Sequence, residues 1–328
     1  MIISKTPLRM SFFGGGTDFR TYFENSRFGY GSVISTALDM YVYITVNKRF
    51  DEKIRLVYHG NELVDSVEEV KHDIIRNALQ LTGIEKGIEI VYSADIPMSG
   101  AGIGLSSSSA LAVGVMNALH AYKGEHATPE QLAREACHIE IDRIGQRIGI
   151  QDQYAVAYGG FRRYRFYANG QVSAEPVVCK RENLKMLTDN LLLFYTGSGR
   201  DSRKILSEQS ETITEKMQRL DKLVEAVDRN YHYLRSGNVD QWGIELDQAW
   251  EIKKTFAGGV SNPEIDRMYE TAKKAGALGG KILGAGGGGF MLLYVPGERQ
   301  DAVRDALKEY REIKYAFESA GSQIIFSD

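Results

Sequence analysis

Apolar and polar positions change their spacing several times along this chain, and the changes mark out its elements. From Gly31 to Val46, GSVISTALDMYVYITV, β-branched and aromatic residues dominate and predict a strand, as does the shorter run Ile88 to Tyr92. From Ser109 to Tyr122, SALAVGVMNALHAY, good helix formers follow one another and are apolar nearly all round, so this helix is expected to be buried on every side. Thr128-Pro129-Glu130-Gln131 then reads as a helix start, with Thr128 as N-cap, proline in the first turn and Gln131 completing a capping box. That helix should run to about Arg143. Its positions Leu132, Ala133, Ala136, Cys137, Ile139 and Ile144 define an inward face by their three- and four-residue spacing. One carboxylate, Glu140, sits among them.

Arg162 to Val178 alternates as a hairpin does, with Asn169-Gly170 as its turn. The chain becomes polar from Lys180 to Asp189, a short apolar strand follows at Leu191 to Tyr195, and the loop TGSGRDS comes next. We therefore divide the chain into an amino-terminal domain, 1–185, and a carboxyl-terminal domain, 186–328. Residues 203–257 are mostly helical in pattern, Asn262-Pro263 starts another helix, and Lys281 to Val295 (KILGAGGGGFMLLYV) reads as strand, glycine loop, strand. No internal repeat or low-complexity linker occurs.

Length and composition support two domains, since 328 residues at 43% hydrophobic content exceed what one medium core needs. Forty basic and 43 acidic residues leave a net charge of −3, which argues against nucleic-acid or anionic-membrane partners. Any bound anion must be held locally. The two cysteines, Cys137 and Cys179, lack metal-type spacing and fit a reducing cytosol. The start, MIISKTPLRMSFF, has no unbroken apolar core, and no later stretch approaches 18 apolar residues, so a cytoplasmic, non-membrane protein is expected. The outlying feature is 34 glycines, many gathered at 14–16, 100–104 and 284–289.

The middle cluster, PMSGAGIGLSSSS from Pro97 to Ser109, lies between a strand and the buried helix. Glycines there let several backbone N–H groups face one point, the helix adds the positive end of its dipole, and serine hydroxyls can bind oxygens or a hard cation. A triphosphate with Mg²⁺ suits such a nest. A flexible Gly/Ser linker is the simpler reading, but linkers rarely abut a fully apolar helix. No Gly-Lys-Ser/Thr follows, so this is not a Walker loop, and the spacing departs from a dinucleotide fingerprint. Glu140, on an inward face, must be paired with a cation such as Arg143 or Arg147, or bind a metal.

GIGLSSSSAL resembles the second signature of the GHMP kinases, the family of galactokinase, homoserine kinase, mevalonate kinase and phosphomevalonate kinase. TPLRMSFFGGGTD is similar to their first signature and GGKILGAGGGGFMLL to their third, in family order along nearly the whole chain. The resemblance implies an α+β fold of two domains, a ribosomal-protein-S5-domain-2-like amino-terminal domain with a left-handed crossover and a ferredoxin-like carboxyl-terminal domain, with the site between them. It implies ATP and Mg²⁺ as cofactors and a small-molecule acceptor. By the same resemblance, Gly102, Gly104, Leu105, Ser106, Ser107, Ser108 and Ser109 hold the nucleotide, and Ser108 and Glu140 hold Mg²⁺. Asp152 takes the substrate proton and Arg9 interacts with Asp152 and the γ-phosphate. Asp18, Gly15, Gly16, Gly286 and Gly287 border the substrate.

Galactokinases carry a glutamate and a histidine where Gly14 to Gly16 stand here, and the F-GGGTD turn looks instead like that of heptose 7-phosphate kinases. The implied reaction is phosphorylation of D-glycero-D-manno-heptose 7-phosphate at its anomeric hydroxyl to the 1,7-bisphosphate. Arg200, Arg203 and Lys204 are candidates for a phosphate already on the substrate. Fucose or a uronic acid is the alternative acceptor. A decarboxylase of the same fold would release CO₂, and a non-catalytic sugar and ATP sensor would have lost Glu140 or Asp152, which are both present.

Overall fold

Of the computed structural model, residues 1–96, 104–197 and 202–328 are described here, without the side chains of Ser202 and Arg203. The first sheet is built from β1 (Ile2–Phe13), β2 (Tyr30–Lys48), β3 (Ile54–Val57), β4 (Asn61–Val64) and β5 (Ile88–Ala94), joined by β6 (Phe161–Tyr167) and β7 (Val172–Pro176). The nineteen-residue β2 is its spine, pairing with β1, β5 and β6 along different parts of its length. Among the described residues, only β3 and β5 run parallel. The hairpin turn includes Asn169-Gly170 as expected but is a three-residue loop, Ala168 to Gly170, closed by Tyr167 N donating to Gln171 O at 3.0 Å, with Gly170 at φ +78°.

Helix Ser107–Tyr122 lies against β1 and β2 and is buried from Ser109 through His120. This is the environment that an all-apolar helix requires. The helix after it starts at Pro129 with Thr128 Oγ1 accepting from Gln131 N at 3.2 Å. Gln131 does not complete a capping box, because its amide donates to Glu135 on the next turn at 3.0 Å. The α-helix ends at Cys137 and passes into a π-helical turn, His138–Arg143. Such insertions re-aim side chains, and this one carries Glu140.

β8 (Leu191–Tyr195), β9 (Gly279–Ile282), β10 (Phe290–Tyr294) and β11 (Arg311–Glu312) form an antiparallel sheet in the order β11-β8-β10-β9. Helices separate β8 from β9 and β10 from β11, which is the ferredoxin-like βαββαβ plan. The chain then returns to the first sheet. β12 (Phe317–Glu318) pairs with β2 and β13 (Gln323–Ser327) with β1, so the end of the 186–328 segment covers an edge of β1 that would otherwise expose unpaired backbone groups.

The two layers meet around Trp242, in helix Asp240–Lys254. Its ring is edge-on to Phe12 and Phe13 of β1, at 5.4 and 5.0 Å between centroids, and to Phe161 of β6 at 6.1 Å. β1 accordingly alternates between buried and half-buried residues at its start and is buried throughout from Thr6 to Phe13. Among the described residues, no helix is long and apolar enough to cross a membrane.

Candidate active site

A cleft of about 490 Å³ opens where β1, the start of helix Ser107–Tyr122, helix Gln151–Tyr158 and the loop after β9 converge. A second hollow of about 640 Å³ continues from it, sharing His72, Gln146, Ile148 and Leu206. Together they suit a nucleotide and a second small molecule.

Arg9 lies 3% exposed on β1, where a guanidinium must find partners. Nε and Nη2 donate to the two oxygens of Asp152 at 2.7 Å each, and Nη1 donates to Gly104 O at 2.8 Å. This bidentate geometry fixes the carboxylate's plane as well as its place. Asp18 is buried behind the glycine turn. Gly16 N donates to its Oδ1 at 2.9 Å and Gln151 N to its Oδ2 at 3.2 Å. Burial pushes its pKa above the ordinary carboxylate value and the charge of Asp152 adds to this, while the backbone donors oppose it. Gly149 is required beside it, since a Cβ there would stand 1.9 Å from Asp18 Oδ2.

Glu140 is fully buried. Ser108 Oγ donates to Oε1 at 2.8 Å, while Ser109 Oγ and Gln153 Nε2 donate to Oε2 at 2.9 and 2.6 Å. These neutral donors lower its pKa less than burial raises it. The ion pair with Arg143 or Arg147 is not made: Arg143 donates to Asn77 O at 3.2 Å, and Arg147 pairs with Glu211. Next to this cluster, Ser106 holds a left-handed backbone at φ +64°, the sole non-glycine residue with positive φ among the described residues. Ser106 lines the cleft, and its buried Oγ has no partner among the described residues. Strain of this kind, costing on the order of 1–3 kcal/mol, is characteristic of binding sites.

Residues 67–160 match the GHMP kinases N terminal domain and residues 223–313 the GHMP kinases C terminal domain. The chain belongs to the GHMP kinases. It is 27% identical to the D-glycero-alpha-D-manno-heptose 7-phosphate kinase of Campylobacter jejuni, over 94% of both chains, and 26% identical to the galactokinase of Pyrococcus furiosus, over 94% of this chain and 93% of that one. The crystal structure of a D-glycero-D-manno-heptose 1-phosphate kinase from Bacteroides thetaiotaomicron superposes with a TM-score of 0.81, covering 100% of both chains at 24% identity. The two-domain GHMP kinase fold, and ATP as phosphate donor, follow from this membership.

For this GHMP kinase, Arg9, Asp152, Asp18, Gly15, Gly16, Gly104, Ser106, Ser107, Ser108, Ser109 and Gly286 all border the cleft. Gly102 lies outside the described residues, as does Arg200, and the side chain of Arg203 is likewise outside. Lys204 is exposed to solvent and does not line the cleft. Leu105 is buried in the core and reaches the site only through its carbonyl, which accepts from Arg9 N at 3.2 Å. Gly287 is turned away from the cleft lining, with its N–H donating to Val260 O at 2.8 Å. Gly286 is the tighter position: at φ +100°, an added Cβ would meet Val260 O at 2.6 Å.

Several cleft residues escaped the sequence reading. Ser11 donates to Gln151 Oε1 at 2.8 Å, tying β1 to the helix that bears Asp152. Lys253 and Lys281 enter from the second domain. The signal for Lys281 was a lone lysine in a glycine-rich strand, and none marked Lys253, one of several lysines in a charged helix.

Proposed function

We propose that this ATP-dependent sugar kinase phosphorylates D-glycero-D-manno-heptose 7-phosphate at the anomeric hydroxyl, giving the 1,7-bisphosphate and ADP. One observation carries the reading. The acceptor end of the cleft is a bare glycine turn over a buried Asp18, with Asp152 beyond it, so a polyol finds hydroxyl acceptors and the room that the galactokinase-type side chains would fill. The heptose 7-phosphate kinase of C. jejuni, matched over almost its whole length, supports the same choice.

In this mechanism Asp18 accepts hydrogen bonds from sugar hydroxyls and sets the ring. Asp152, held by Arg9, takes the proton of the attacking hydroxyl as the new P–O bond forms and the bond to ADP breaks. Arg9 keeps N–H groups not spent on Asp152 or Gly104 for the γ-phosphate. Ser106 and Ser107 bind phosphate oxygens at the helix start.

Mg²⁺ fits the donors present. A fully buried carboxylate with hydroxyl neighbours and no cationic partner among the described residues calls for a cation, and Mg²⁺ characteristically takes one or two protein ligands and completes its shell with phosphates and water. Glu140 and Ser108 would hold it, and the ion would neutralise charge on the triphosphate. Ser109 and Gln153 orient the second carboxylate oxygen.

The test is an ADP-release screen over heptose 7-phosphate, heptose 1-phosphate, fucose, galactose and mevalonate, with ³¹P NMR of the product. Heptose 7-phosphate should give the highest kcat/KM and an anomeric phosphate signal. Equal turnover of fucose or galactose would remove the substrate assignment and leave the kinase class intact.

A further inference from the structure

Two lysines of the carboxyl-terminal domain line the cleft, and neither pairs with a carboxylate among the described residues. Lys281 of β9, 6% exposed, donates from Nζ to Ser11 O at 3.0 Å and Phe12 O at 2.9 Å. Lys253, near the end of helix Asp240–Lys254, donates from Nζ to Ile282 O at 3.2 Å and to Gly284 O. Those carbonyls flank Leu283, which presses on the nucleotide loop so closely that a Cβ on Gly104 would stand 2.5 Å from Leu283 O. Gly104 O in turn accepts from Arg9, the partner of Asp152. Lys253 is therefore connected to the reacting carboxylate through an unbroken set of contacts.

The two amines differ in what they can do. Burial lowers the pKa of Lys281 far below its usual value, with the charges of Lys253 and Arg9 adding to the effect. Its amine is tied to two carbonyls of β1, Ser11 O and Phe12 O, so Lys281 is a strut. Burial brings Lys253 down to about 7, with Arg9 acting in the same direction and Asp152 and Asp18 against it. An ammonium carries three donors and the loop carbonyls take two. An anion arriving in the cleft would therefore draw a proton onto Lys253 and meet its third N–H. The charged groups facing Lys253 are Arg9 from β1, Asp152 from helix Gln151–Tyr158, Asp18 from the glycine turn and Lys281 from β9. On its own helix, Glu251 is spent on Lys254 at 2.7 Å.

We propose that Lys253 is a further catalytic residue, an ammonium that contacts the γ-phosphoryl group of ATP from the carboxyl-terminal wall of the cleft while anchoring the glycine loop over it. During transfer the bond from the γ-phosphorus to the ADP oxygen breaks, with its electron pair leaving on ADP. The acceptor oxygen bonds to phosphorus and its proton passes to Asp152. Lys253 gives up no proton and balances the charge on the phosphoryl oxygens. The assignment rests on ATP chemistry and is independent of which sugar is the acceptor.

Calorimetric titration of Mg·AMP-PNP and Mg·ADP at pH 7.5, in two buffers of different ionisation enthalpy, tests it without any sugar. The wild-type protein should take up about 0.5–0.75 proton with AMP-PNP, because an amine of pKa near 7 is about three-quarters neutral at that pH, and clearly less with ADP. Lys253→Met should abolish the difference. In turnover with the sugar that the screen identifies, Lys253→Met should lower kcat about 100-fold, as loss of one transition-state donor does, with the sugar KM within about threefold. Lys253→Arg should recover at least about a tenth of wild-type kcat. Proton uptake that persists in Lys253→Met, or a kcat within twofold of wild type, would overturn the proposal. A sugar KM rising as far as kcat falls would also overturn it, leaving Lys253 as a loop anchor only.

Discussion

Glu140 and Asp18 are buried carboxylates whose pKa values burial raises, and the consequences for stability and turnover can be worked out residue by residue. For Glu140 the folded pKa lies above 4.5, so the folded protein holds its proton more tightly than the unfolded chain does. The stability from this proton is fully present below pH 4.5 and is lost as pH rises through the folded value. A divalent cation reverses the loss. MgCl₂ should therefore raise the melting temperature more at pH 8 than at pH 5.5, and Glu140→Gln should remove the difference while raising the metal-free melting temperature at pH 8. Gln153 can accommodate that amide, because its buried Oε1 has no partner among the described residues and can accept the new N–H. Equal Mg²⁺ effects in wild type and variant would exclude Glu140 as ligand. For Asp152→Asn, loss of the proton acceptor should lower kcat about 100- to 10,000-fold with the KM for ATP within about threefold, measured by coupled ADP release. Gly149→Ala acts on the acceptor instead. Its Cβ, 1.9 Å from Asp18 Oδ2, must displace that carboxylate, so the sugar KM should rise at least about tenfold while the KM for ATP holds.

At the scale of elements, the sequence marked those whose pattern is local. Helix Ser107–Tyr122, the strand containing Gly31 to Val46, the hairpin at Asn169-Gly170 and the Asn262 cap were all legible because each rests on the chemistry of adjacent residues. The π-helical turn was not. The spacing from Leu132 to Ile144 fits an α-helix, and only packing against helix Asp73–Thr82 and the serine cluster selects the wider turn that aims Glu140 at Ser108 and Ser109. Likewise β12 and β13 are short strands whose membership in the first sheet depends on a distant edge of β1 and on β2. In the site, Arg9 and Asp18 were read from signature positions, Glu140 from its place on an inward helix face and Asp152 from the family resemblance of its segment, whereas Lys253 and Lys281 act through backbone carbonyls contributed by other segments, which no local spacing encodes. The glycine loops show the same limit. Their composition was plain, but the reason for Gly284 is its neighbour: at φ +67°, an added Cβ would meet Gly104 Cα at 2.5 Å. Gly284→Ala should push the two loops apart and lower kcat at least about 100-fold, since misplacement by about 1 Å costs that much.

The molecule works as two sheets that share a wall, and Trp242 belongs to both. Its helix packs on β9 and β10, while its indole is held edge-on by Phe12, Phe13 and Phe161 of the first sheet. Those aromatic contacts sit just beyond Arg9 and Ser11 on β1, and Lys281 grips the same strand through the carbonyls of Ser11 and Phe12. Apolar packing and a buried amine thus fix β1 against the second domain from two directions, and each element of the site inherits its position from that contact. Trp242→Ala would empty an aromatic slot at the junction at a cost of about 3–5 kcal/mol. Because the lost contacts lie between the sheets and not within either, the cost falls on their coupling. Wild-type protein should unfold in urea as one transition followed alike by near-UV and far-UV circular dichroism. In Trp242→Ala the two signals should separate, the near-UV change coming first, with kcat lost at the earlier midpoint. A single coincident transition merely shifted to lower urea would mean that the junction carries no more of the cooperativity than any other part of the core.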